Sequence, residues 1–222
     1  MNYFLKLIQT GATAQIAEAV EQDPALVEYS DPQGISALLW AVYMGQPLVR
    51  DFLAAHLAAH GVELDIFEAA ALGDAPRLKT ILSTNPNAAH SFAGDGWTPL
   101  HLAAAFGTTA AVSTLLAGGA RLDAVSQNTQ KNQPLHAALA LGRNPETIRL
   151  LLAQGADANA RQAGGFTPLF SAAAADRRDL VELLLAHGAL PSLPSDDGKT
   201  PAQYARERGH AELAAWLETL SS

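Results

Sequence analysis

The chain has 222 residues, of which 49% are hydrophobic and 16% charged; this supplies enough apolar material for a core and argues against disorder. It contains no cysteine, which excludes disulfides, zinc fingers, iron–sulfur ligation and thiol catalysis. A formal net charge of −8 makes it a poor partner for nucleic acid or an anionic membrane, and the candidate basic positions Arg177, Arg178, Arg206 and Arg208 are few and sit among acids.

The first eight residues are apolar and Ala12-Thr13-Ala14 imitates a cleavage site. The stretch is short, Lys6 interrupts it and no basic segment precedes it, so it does not read as a signal peptide. It is better used as a first helix carrying Phe4, Leu5, Leu7 and Ile8, followed by a second with Ile16 and Val20. No later apolar run reaches the roughly 20 residues that span a bilayer. Gly11, Gly45, Gly73, Gly107, Gly142, Asp176 and Gly209 recur where a first helix should end. Asp23, Gly61, Asn85, Gly119, Gly155 and Gly188 recur where a second should. Both sets are expected to take the left-handed conformation that closes a helix. From Gly45 to Gly73 the interval is 28 residues instead of the usual 33 to 35. There the second helix should run about one turn longer, to Gly61, with only Val62-Glu63-Leu64 before the next.

Beyond that point a phrase repeats openly. Thr98-Pro99-Leu100-His101 recurs as Gln133-Pro134-Leu135-His136, Thr167-Pro168-Leu169-Phe170 and Thr200-Pro201-Ala202-Gln203. Leu115-Leu116-Ala117-Gly118-Gly119-Ala120 recurs as Leu151–Ala156 and Leu184–Ala189. The chemistry of the phrase is legible. Thr98 is a helix N-cap, Pro99 suits the first helical position, and Leu100 begins the buried face. Val112, Leu115 and Leu116 follow at helical spacing.

These phrases resemble the ankyrin-repeat pattern along nearly the whole chain. The resemblance implies an all-α repeat solenoid of helix-turn-helix pairs with short β-hairpin fingers. It divides the chain into about seven units: 1–33 as N-terminal cap, 34–63 with the long second helix, 64–96, 97–131, 132–165, 166–198, and 199–222 as C-terminal cap. Glu207, Arg208, Glu212 and Glu218 make the last unit polar outside, as an end cap requires. Asp95-Gly96, Gly164-Gly165 and Asp197-Gly198 are turn dipeptides at the finger tips. No finger is expected after Gly61, and the longer Ser126–Asn132 finger is expected to be mobile.

Catalytic patterns are absent from the sequence: there is no Gly-x-Ser-x-Gly elbow, dinucleotide fingerprint or phosphate loop. His101 and His136 belong to the repeat phrase, where the resemblance implies a local structural bond. His56 and His60 stand four apart on one helix, yet no third ligand accompanies them. His187 and His210 read as solvated, Asp196-Asp197 as turn chemistry, and Glu63, Asp65 and Glu68 as helix-start acids. The expectation is a non-enzyme with no cofactor and no metal.

In this family, partners bind the concave face lined by fingers and first helices. Carried over, the finger positions are Ile35, Trp97, Asn132, Phe166 and Lys199. The concave helix ends include Tyr43, Met44, Leu72, Phe106 and Leu141. Tyr43, Met44, Leu72, Trp97, Phe106, Leu141 and Phe166 would form an apolar stripe, opened near Gly61 by the missing finger. The reading is a cytoplasmic, monomeric module that binds a protein or peptide. A structural or self-associating scaffold is the alternative, and a metal or small-molecule binding protein the third reading.

Overall fold

Helices begin at Ser36, Asp65, Asp74, Thr98, Thr108 and Thr200, where a hydroxyl or carboxylate takes up a free backbone N–H. In the computed structural model, which describes residues 3–141 and 144–220, Thr98 accepts from the His101 N–H while the His101 ring accepts from the Thr98 N–H. Asp65 with Glu68, and Thr200 with Gln203, form the same reciprocal cap. The described residues hold fourteen α-helices: α1 Tyr3–Thr10, α2 Thr13–Gln22, α3 Ala37–Tyr43, α4 Pro47–Ala59, α5 Ile66–Leu72, α6 Ala75–Thr84, α7 Pro99–Ala105, α8 Thr109–Ala117, α9 Pro134–Leu141, α10 Pro145–Ala153, α11 Pro168–Ala174, α12 Arg178–Ala186, α13 Pro201–Glu207 and α14 Ala211–Thr219.

Each odd helix packs against the even helix that follows it, and the odd helices stack in an unbroken row from α1 to α13. The apolar face of one pair is thus buried by the next, as a solenoid requires. Fully buried side chains fall into two clusters. One, with Phe4, Ile8, Ile16, Leu38 and Leu53, lies within α1–α4. The other runs from Ile35 and Leu39 through Leu100, Leu135 and Leu169 to Leu217. Half-buried Trp40 and Leu64 pack against both.

The links between pairs are tight turns. The fingers expected as β-hairpins hold no strand among the described residues; the one β-bridge there joins Ser30 to Ser36. In each, a short loop is closed by one or two backbone bonds, such as Ala93 N–H to Trp97 O at 2.8 Å and Ser195 N–H to Lys199 O at 2.9 Å. That is too few residues for a ladder. Successive fingers are joined by Gln127 N–H to Gly96 O at 2.8 Å, Ala163 N–H to Gln130 O at 2.8 Å and Asp196 N–H to Gly164 O at 2.9 Å. The Ser126–Asn132 finger, expected to be mobile, is therefore tied on both sides. Within it, Asn132 N–H donates to Ser126 Oγ at 3.0 Å, and Asn128 Nδ2 reaches Asp95 O at 3.1 Å.

The helix ends need correction. Gly155 and Asp176 are left-handed, with φ of +94° and +53°. Gly107 is not in that region: a Cβ there would overlap the Ala70 carbonyl oxygen and lie 2.9 Å from Ala103 Cα, so glycine serves close approach between α5 and α7. Asp23 and Asn85 are extended, at φ −140° and −139°. Each precedes a proline, whose ring excludes helical conformations from its predecessor, and each opens a 3-10 turn, Pro24–Glu28 and Pro86–His90. Gly142 lies outside the described residues. Helix α4 has 13 residues where α8, α10 and α12 have 9, and α5 begins at Ile66 directly after a short link.

Candidate functional site

The missing finger brings together side chains two units apart. Tyr43 ends α3, Phe106 caps α7, and between them α5 presents the small Ala71. With no finger at residues 62–65, the Tyr43 ring crosses α5 to stand 5.6 Å from the Phe106 ring. Its hydroxyl donates to Asp95 Oδ2 at 2.8 Å, while Asp95 Oδ1 accepts from the Trp97 N–H at 3.0 Å. The Trp97 ring lies 6.1 Å from the same Phe106 ring. Tyr43, Asp95, Trp97, Phe106 and Leu141, faced by Asn128–Gln130 of the next finger, line a hollow of about 340 Å³. An adjoining hollow of about 300 Å³ shares Tyr43, Phe106 and Leu141 and reaches Ala71, Gln46 and Arg50. Burial, then the Asp95 charge, hold the Tyr43 phenol well above its usual ionisation range, so it remains a donor.

The gap near Gly61 was expected to open access to Tyr43; instead Asp95 and Phe106 take it up. Met44 is exposed, and Leu72 is half-buried against the α1–α4 cluster. The single stripe resolves into two aromatic groups. Phe166 sits apart, 5.2 Å from Phe170 and 5.5 Å from Tyr204. Two finger positions leave the surface altogether. Ile35 is 6% exposed and joins the core, and Asn132 is 3% exposed, its carbonyl bonded to the His101 ring at 3.1 Å. Lys199 is half-buried and paired with Glu207 at 2.8 Å. Sequence reasoning missed Asp95, read only as a turn residue, and Trp40. The Trp40 indole donates to Asp31 at 3.0 Å, and its ring meets Tyr43 edge-on at 6.1 Å. Counting along the short interval would have placed Tyr43 beside the 93–97 finger and so pointed to Asp95.

The two histidines of the repeat phrase are spent on structure. His101 and His136 are fully buried, and His136 Nε2 meets Ala160 O at 3.1 Å. Burial depresses both, His101 to about 4. His56 and His60 stack at 5.4 Å, and no three metal-ligating side chains converge among the described residues. His187, as expected, is exposed. His210, expected to be solvated, is half-buried, with Nε2 on Ala174 O at 3.1 Å. The suspected basic residues are engaged: Arg177 with Asp179 at 2.6 Å, Arg178 with Glu182 at 3.0 Å, Arg206 with Glu218 at 2.5 Å, and Arg208 over the Tyr204 ring at 5.1 Å.

Comparison with known proteins agrees with the geometry. A family model described as ankyrin repeats (3 copies) matches residues 66–162 and 135–219. Human ARF GTPase-activating protein GIT1 is 44% identical over 87 residues, covering 39% of this chain and 11% of that protein. Mouse ankyrin repeat and SOCS box protein 16 is 38% identical over 115 residues, 49% of this chain and 25% of its own length. The mouse B-cell lymphoma 3 protein homolog is 35% identical over 114 residues, 51% of this chain and 25% of its own length. The chain thus spans about a tenth to a quarter of these relatives. No described helix is long and apolar enough to cross a membrane.

Proposed function

The chain belongs to the ankyrin-repeat family, and on that premise we propose that it is a non-catalytic, cytoplasmic, monomeric module that binds a protein or peptide on its concave and finger surface. Ankyrin repeats are protein–protein interaction modules; the finer claim concerns which residues hold the partner. The carrying observation is the hollow in which Tyr43, Trp97, Phe106 and Leu141 are left half-buried between fingers and helix ends. A helix end that faces water is ordinarily polar, and aromatic anchors in shallow pockets dominate binding energy. Met44 extends the apolar surface at one end, and Phe166, with Phe170 and Tyr204, forms a second aromatic group apart from it. The polar side chains that might have served catalysis are occupied as caps, turns and ion pairs, which supports the non-catalytic reading.

The test is affinity capture from the native cell with wild type, Trp97→Ala and Phe106→Ala, each checked for helicity by circular dichroism. Both substitutions should abolish recovery of the partner while the helical signal is retained. Unchanged recovery by a folded variant sinks the assignment of this surface.

A further inference from the structure

We propose that the hollow between Tyr43, Trp97 and Phe106 receives an alkylammonium group, the side chain of a lysine or methylated lysine on the partner segment; this rests on the reading above and specifies the chemistry of the same site. The hollow is walled by three aromatic rings in a continuous row, 5.6 and 6.1 Å apart about the central Phe106. Aromatic faces carry negative quadrupolar charge and attract a cation placed over them, most strongly over tryptophan. Asp95 is the one charged residue in the lining. Arg50, on the rim of the adjoining hollow, is already paired with Asp51 at 2.7 Å. The chain as a whole carries −8, so a basic segment approaches down a favourable potential.

The hydrogen bonds choose among cations. Each Asp95 oxygen already accepts one bond, from Tyr43 and from the Trp97 N–H. Each keeps one lone-pair position, so the site offers charge, ring faces and two further carboxylate acceptor positions. A guanidinium brings five donors to those two positions, an alkylammonium three, and each methyl group on the nitrogen removes one, so the match is best for a methylated ammonium. The apolar walls take its methylene stem. The assembly depends on the short interval before α5, since an ordinary finger at residues 62–65 would stand between Tyr43 and the 93–97 loop.

The test uses small probes and the full chain. Choline and 3,3-dimethylbutan-1-ol differ in charge but not in shape, as do butylammonium and butanol. Each is titrated while the Trp97 indole N–H is followed by nuclear magnetic resonance, with butylguanidinium in a parallel arm. One or both ammonium probes should bind at least about fivefold more tightly than the neutral isostere. Choline alone would identify methylated lysine, and butylammonium with it lysine generally. Asp95→Asn should remove most of the preference, read as the ratio of charged to neutral affinity within the variant. Equal affinity for charged and neutral probes, or tighter binding of butylguanidinium, overturns the proposal on wild type alone, whatever the variant's folding. No partner is involved. A flat titration with capture still lost in Phe106→Ala therefore sinks the cation and leaves the interaction module standing.

Discussion

His101 makes stability depend on pH in a defined window. It is fully buried, capped to Thr98 on one nitrogen and bonded to the Asn132 carbonyl on the other. Desolvation by burial holds its folded ionisation near 4, against an ordinary 6.5. Between these values the unfolded chain carries the proton and the folded chain does not, so stability rises with pH and is lost as pH falls through the window. At about 1.4 kcal/mol per pH unit, that interval corresponds to a loss of about 3 kcal/mol at pH 4. Glu68, raised by burial and by Asp65, works in the opposite sense, and His136, lowered by burial, in the same sense. A comparison with His101→Gln cancels both. Glutamine is the right replacement because Gln203 fills this role in the last pair, where it returns the cap to Thr200. At pH 7 the variant should be less stable by about 1 kcal/mol, for the lost bond to Asn132. Urea unfolding followed by circular dichroism at pH 7, 6, 5 and 4 should show the gap shrink by about 3 kcal/mol and the order reverse. Parallel pH profiles for the two proteins would refute a buried, neutral His101.

Two further outcomes follow from individual contacts. Gly107→Ala should cost about 2 kcal/mol through overlap with α5, and Gly155→Ala about 1 kcal/mol through its left-handed backbone alone; equal shifts in urea midpoint would erase that distinction. Tyr43→Phe should cost about 1 kcal/mol, since the Asp95 oxygen loses its phenol donor, and differential scanning calorimetry showing no change would mean that water replaces the bond without loss.

The repeat was legible because its parts are local: a threonine cap, a proline at the first helical position and leucines at helical spacing act within a few residues of one another. The missing finger was legible from one short interval. What followed from it was not. Tyr43 meets Asp95 across 52 positions, and no periodic pattern within one unit reports a contact that skips the next. Ile35 and Asn132 were misplaced for a related reason: the finger position repeats, but Ile35 packs into the core, and Asn132 is held by Ser126 and Gln130 of its own finger and by the His101 ring. Gly107 departs from the left-handed backbone expected at the end of a first helix because it serves close approach, and Asp23 and Asn85 depart from it at the end of a second helix because a proline follows.

The backbone bonds that join successive fingers act in mechanical terms as a tension cable along one edge of the molecule. From residue 96 to residue 196 that edge cannot lengthen without breaking a bond at each gap, so the curvature of the groove is set before anything enters it. Between the 31–35 and 93–97 fingers the Gln33 carbonyl instead abuts Gly94, leaving no room for a Cβ. A partner bound along this edge, as proposed above, would meet a template of fixed pitch from residue 96 to residue 196, with little ordering cost on this side. Affinity should then be sensitive to the spacing between the partner's own anchors, because the surface cannot stretch to meet a misplaced one.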